Sequence, residues 1–261
     1  MKVGILSMQQ ITNFGSFLQA YGLKSILKEQ GHEVEFINIV PGEQLPQYRI
    51  GRFHKIKLML RRLMVKHPLK QLSCTLRLHR RFDREFKPEL GVTPGVNRRH
   101  YDAVVIGSDE VFNVAQRTWF GYSPQLFGEG LNADKVISYA GCFGATTTDI
   151  LRELGIDSRI GKSLSSMAAI SVRDKNSVEV VKALTGIDPS LNVDPVLAYG
   201  FEKEIRVPDI KEDFMIIYTY PGRMNNPAEV EAITRYARAH NLRIVANSIY
   251  FDWVDEVITV H

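Results

Sequence analysis

KVGILSMQQITNFGSFLQAYGLKSILKEQGHEVEFINI, residues 2–39, runs from a short apolar stretch through a polar loop and a helical segment to a second branched stretch. KVGILS (2–7) is β-rich and apolar, and QQITN (9–13) is polar. Residues 14–30 set Ala20, Leu23 and Leu27 at helical spacing with Ile26 beside them. Gly31 stops the helix, and EVEFINI (33–39) resumes as a strand until Pro41-Gly42. Strand, helix and strand in this order predict a right-handed βαβ unit on a parallel sheet.

The pattern continues along the chain. AVVIG (103–107), the VISYA run within 135–140, and 166–172 are apolar stretches suited to buried parallel strands. A helix is expected from Thr148-Asp149 to about residue 159, and another over 175–184, capped by Asp174 and ended near Gly186. Residues 192–196 read as a strand closed by Asp194-Pro195. Residues 1–200 are therefore expected to form an α/β domain, a Rossmann-like parallel sheet with helices on both faces. Its strands are predicted near 2–7, 33–39, 103–107, 136–140 and 166–171. DFMIIYTY (213–220), a Pro-Gly turn, a helix over 227–240 opening on Pro227, and LRIVANS (242–248) then begin a second α/β domain over residues 201–261. Two or three parallel strands leave edges and apolar surface uncovered, so this domain is expected to be partial, as in a truncated or shortened chain.

The 261 residues are 44 % hydrophobic, enough for a substantial core, which excludes a disordered or collagen-like chain. The net charge of +4 is unevenly placed. Residues 49–99 hold 15 Lys/Arg against 3 Asp/Glu, while the rest of the chain holds 18 against 26. Within this basic helical insert, cations alternate with Leu, Ile, Met and Phe, and Pro68 should divide the run into two helices. Ile56, Leu60, Leu63, Leu72, Leu76 and Phe82 are expected to cover the first domain. Arg61, Arg62, Arg80 and Arg81 would then face an anionic acceptor or an acidic membrane, with an ordinary solvated face as the bland alternative. Nucleic acid is disfavoured, because neither zinc-ligand spacing nor an aromatic platform accompanies the charge. Cys74 and Cys142 have no CxxC partner, which points to a reducing cytoplasm. Neither a leader pattern nor an apolar run approaching 18 residues is present, so a cytoplasmic protein is expected, with peripheral attachment at the inner face of the membrane left open through the basic insert.

Candidate binding residues cluster where predicted strands end, the place at which parallel sheets hold ligands. The first group is Asn13, Gly15 and Ser16, at the start of a helix whose free amides favour anions; cap chemistry is the alternative. Neither GxGxxG nor GxxxxGK[ST] is present. The second is Gly107, Ser108 and Asp109, with Asp109 placed to orient a sugar hydroxyl or to cap. A metal at Asp109-Glu110 would need further oxygen ligands that the sequence does not place, and Asn113 is a weaker member of the group. The third is Gly141, between Tyr139 and Cys142, where glycine packing is favoured and Cys142 reads as a small buried hydrophobe. The last is Arg173, whose planar fork suits a phosphate or carboxylate; an ion pair with Asp174 or another acid is the bland reading.

Taken together, several motifs resemble the polysaccharide pyruvyl transferase family. They are Asn13-Phe14-Gly15-Ser16-Phe17-Leu18-Gln19-Ala20-Tyr21, Gly31-His32-Glu33-Val34, Tyr101-Asp102-Ala103-Val104-Val105-Ile106-Gly107-Ser108-Asp109, Ser138-Tyr139-Ala140, Ser171-Val172-Arg173-Asp174 and Val193-Asp194-Pro195. The resemblance spans residues 1 to about 200. It implies a glycosyltransferase B-like pair of α/β domains and transfer of a pyruvyl group from phosphoenolpyruvate to a sugar, giving a ketal and phosphate without a metal or redox cofactor. The implied acceptors are lipid-linked or nucleotide-linked saccharides of cell-surface polymers. The family also carries a late Ser-Phe-His-Gly-type segment whose histidine is tied to donor binding and catalysis. This sequence reaches His261 without it, His240 and His261 have other surroundings, and no catalytic residue is assigned. A non-catalytic sugar- or anion-binding protein and a nucleotide-sugar glycosyltransferase are the competing readings.

Overall fold

The computed structural model describes residues 1–48, 67–92, 99–207, 209–220 and 223–258. They fall into two compact units, Met1–Gly51 with Glu85–Lys203, and Arg52–Arg84 with Glu204–His261.

The first unit is built on a six-stranded, wholly parallel sheet. Its strands are β1 (Lys2–Leu6), β2 (Glu33–Phe36), β3 (Ala103–Asp109), β4 (Val136–Gly141), β5 (Ser171–Val172) and β6 (Ser190–Leu191), in spatial order β2-β1-β3-β4-β5-β6. Register follows the apolar pattern, with Val3 opposite Val34 and Ala103, and Ile106 opposite Ser138. Alternation then sends side chains to two cores. Val3, Ile5 and Val105 pack with Ala20 and Leu23 of helix α1 (Phe14–Glu29). Leu6, Val104 and Ile106 belong to the opposite core, with Leu151 of α4 (Thr148–Glu153), Ile160 of α5 (Asp157–Ser165) and Val180 of α6 (Lys175–Thr185). Each such fully buried aliphatic side chain contributes about 1.5–3 kcal/mol, which makes the doubly covered sheet the rigid element that aims the loops at its carboxyl edge.

A short helix, α7 (Pro195–Tyr199), lies against α1. The approach depends on Gly22, where a Cβ would stand 2.9 Å from the carbonyl oxygen of Pro195. Gly22 thereby fixes the place of Asp194, the residue that caps α7.

Several boundaries differ from expectation for identifiable reasons. The strand expected over 166–171 pairs regularly only at Ser171–Val172, after a single bridge at Ala169. Helix α5 runs to Ser165, and Met167 and Ile170 turn into the core. Asp194-Pro195 starts a helix instead of closing a strand: the Asp194 carboxylate accepts from the Val196 amide, and proline occupies the first turn. The helix expected over 148–159 is two, parted at Gly155, whose φ is 67°.

The second unit has a three-stranded parallel sheet, β7 (Phe214–Ile217), β8 (Arg243–Asn247) and β9 (Glu256–Ile258), in that order. Met215, Ile217, Ile244 and Ala246 meet Ile233 and Ala237 of α8 (Pro227–Ala239) in its core. Strand β9 has no counterpart among the sequence expectations.

From the basic insert come α2 (Pro68–Arg81), a π-helical turn (Phe82–Phe86) and the one-turn α3 (Lys87–Leu90). The helix starts at Pro68, but α2 belongs to the second unit, not to the first as expected. The Lys70 ammonium donates to the Tyr250 hydroxyl at 3.0 Å, and the Tyr250 amide donates to Gln71 Oε1 at 3.1 Å. Leu72 and Leu76, expected to be covered, are 54 % and 46 % exposed, while Cys74 and Phe82 are buried. Ile56, Leu60, Leu63, Arg61 and Arg62 lie outside the described residues.

Candidate functional site

The carboxyl edge of the first sheet gathers side chains that are far apart in sequence. Beyond β1, the Asn13 side chain caps α1 by accepting from the Ser16 amide at 3.2 Å, Gly15 is exposed, and Ser16 is buried. Beyond β3, Gly107 has a φ of 124°, and a Cβ there would stand 2.3 Å from the Tyr139 carbonyl oxygen, so only glycine fits. This turn buries Ser108 completely and presents Asp109 with a φ of 79°. The Asp109 conformation is held locally: its amide donates to Ser108 Oγ at 2.6 Å, and its Oδ1 accepts from the Glu110 amide at 2.9 Å.

Four of the sequence candidates meet in one network. The Ser16 hydroxyl donates to Asp109 Oδ2 at 2.6 Å, and the Ser108 hydroxyl donates to Asp194 Oδ2 at 3.0 Å. Arg173, delivered from the end of β5, places Nη1 2.6 Å from Asp194 Oδ2 and Nη2 3.6 Å from Asp109 Oδ1. Arg173 thus bridges two carboxylates unequally, with a direct bond on one side and a looser ionic contact on the other. Burial opposes its charge, but Cys142, Asp194 and Asp109 outweigh it and raise the guanidinium pKa. All three charged side chains retain about a quarter or less of their exposure, so the cluster opens to solvent while resting on buried polar support.

That support is absent from the sequence expectations. Gln19, one helical turn after Ser16, donates from Nε2 to Ser7 Oγ at 2.8 Å, and the Ser7 hydroxyl donates to the Ser108 carbonyl at 3.1 Å. Gln19 Oε1 is buried without a hydrogen-bond partner among the described residues. The available signal was Ser7 ending an apolar strand and Gln19 on the inner, Ala20-bearing face of α1.

Gly141 ends β4 and leads into Cys142, and Glu110 and Asn113 lie in the neighbouring turn after β3. A Cβ on Gly141 would stand 2.5 Å from the Phe112 ring. Glu110 accepts from Asn113 Nδ2 at 2.7 Å and from Gln116 Nε2. Burial and donation to Asp174 push the Cys142 thiol pKa up, leaving it protonated at neutral pH. Asp174 does not take Arg173 as its direct partner. It caps α6 through the Ser177 amide and hydroxyl, at 2.9 and 2.7 Å. At the opposite edge of the sheet, exposed His100, Asp102 and Asp134 bring ligand-type atoms within 4.8 Å, but Asp102 accepts from the Lys2 amide and His100 Nε2 lies 3.0 Å from Asp134. Among the described residues, no helix is long and apolar enough to cross a membrane.

The first unit is thus a wholly parallel α/β sheet whose carboxyl edge carries an Arg-bridged carboxylate pair, the edge at which such sheets hold ligands. The chain belongs to the polysaccharide pyruvyl transferase family, whose model matches residues 13–258. No curated protein matches the chain. Solved structures similar to it include the E. coli heptosyltransferase WaaC with ADP-2-deoxy-2-fluoro heptose, at 14 % identity and a TM-score of 0.38, covering 99 % of this chain and 76 % of that one.

Proposed function

We propose that the protein transfers the pyruvyl group of phosphoenolpyruvate to two hydroxyls of a saccharide, with a lipid-linked or nucleotide-linked precursor of a cell-surface polysaccharide as the acceptor. Family membership supports the reaction class. The unequal grip on Arg173 carries the residue roles: 2.6 Å to Asp194 against 3.6 Å to Asp109. An incoming phosphate or carboxylate gains Nη2 of Arg173 at the smaller loss, by displacing the Asp109 contact. Asp194 keeps the guanidinium oriented meanwhile. Asp109, so released, accepts a hydrogen bond from an acceptor hydroxyl, and exposed Gly15 in the first turn of α1 adds an amide donor for the anion.

In the reaction, one acceptor oxygen bonds to the central enol carbon as the terminal methylene gains a proton. The second acceptor oxygen then displaces phosphate from the same carbon. The two hydroxyl protons end on the new methyl group and on phosphate, so atoms and electrons balance without an oxidant or reductant. The test is phosphoenolpyruvate-dependent phosphate release with nucleotide-linked and lipid-linked saccharides, with the ketal identified by mass spectrometry. R173A should lower turnover at least about a hundredfold, as expected for losing a preorganised charge donor. Glycosyl transfer from a nucleotide sugar, or saccharide binding with no phosphate release, would overturn the reading.

A further inference from the structure

Helix α2 divides cleanly into two faces. Gln71, Cys74, Thr75, Leu78, Arg81 and the following Phe82 form its covered or partly covered side. Leu69, Leu72 and Leu76, at spacings of three and four residues, line the other side and are 80 %, 54 % and 46 % exposed. A soluble helix ordinarily turns such a stripe inward, so three leucines on the solvent side of a helix whose inner side is already packed are an unspent apolar surface. Arg77 and Arg80 are exposed on the same outer side, as is Lys70, whose ammonium also reaches Tyr250, and the next turn adds exposed Arg84 between the exposed acids Asp83 and Glu85.

Apolar residues along one line with cations beside them are the pattern of a helix lying in a membrane interface, leucines in the acyl boundary and cations at anionic headgroups. We propose that α2 is a docking surface for an anionic lipid bilayer. Charge complementarity selects this occupant: a neutral apolar partner leaves the cations without counter-charge, and a purely polyanionic one leaves the leucines in water. The inference is independent of the transfer reaction, because binding is read with no substrate present.

The test uses the full chain with vesicles of phosphatidylcholine alone or mixed with phosphatidylglycerol, read by co-sedimentation at low and high salt. The protein should bind the mixed vesicles, release at high salt, and bind the neutral vesicles weakly. R77Q/R80Q should lower the partition coefficient about fivefold per charge removed. L72Q/L76Q should lower it by at least about tenfold with its salt dependence retained. These side chains face solvent, and circular dichroism confirms that both variants fold. Absence of binding to mixed vesicles, binding indifferent to both double variants, or a preference for RNA over the vesicles would overturn the proposal.

Discussion

Arg173 and Asp174 are neighbours in sequence with separate tasks, and their separation governs how the first unit should respond to acid. Burial opposes ionisation of Asp174, but donation from the Cys142 thiol, the two Ser177 bonds and the Arg173 charge outweigh it and hold the carboxyl below its ordinary 3.8. A depressed carboxyl stabilises the fold above the pKa of the unfolded chain, and that contribution is lost as pH falls through the lower folded pKa. D174A should therefore cost about 1 kcal/mol at pH 7 by removing the α6 cap. The cost should shrink as the pH falls below 3.8, which urea denaturation at neutral and acidic pH measures. Burial, together with the same hydrogen bond, keeps the Cys142 thiol protonated. Iodoacetamide should accordingly label Cys142 at pH 7.5 far more slowly in the native protein than in urea, as followed by peptide mass spectrometry.

At the scale of elements, Gly22 decides how closely α7 approaches α1. G22A places a Cβ 2.9 Å from a backbone oxygen, which cannot rotate away, so α7 must shift and carry Asp194 with it. The substitution should cost about 1–3 kcal/mol in thermal or urea unfolding and weaken anion binding as well. By contrast, an exposed Gly-to-Ala change elsewhere in a helix is stabilising on propensity alone. The main strands were legible because β1, β3 and β4 are apolar runs bounded by turn residues. The two-residue β5 and β6 were not, since most of the apolar stretch before Val172 serves core packing instead of strand pairing. The orientation of α2 was also hidden. Leucines at helical spacing identify one face, but Gln71 bonding to Tyr250 and buried Cys74 select the other as the packed one. Asn13, Ser16, Ser108, Asp109 and Arg173 were readable as strand-end residues, whereas the Ser7–Gln19 support depends on contacts that sequence spacing does not encode.

For the whole molecule, the proposed function rests on one claim: that Asp109 is the displaceable partner of Arg173 and that the substrate anion takes its place. The most direct measurement is calorimetric titration of phosphoenolpyruvate, and separately of inorganic phosphate, into the parent protein, D109N and R173A, with circular dichroism to verify folding. Removing the competing charge should make D109N bind either anion about threefold to tenfold more tightly, because a like charge within a few ångströms is lost from the site. The same variant should lose transfer, since its amide no longer offers a carboxylate to the acceptor hydroxyl, and R173A should lose anion binding. Weaker anion binding by folded D109N, or unchanged binding by folded R173A, would contradict the account.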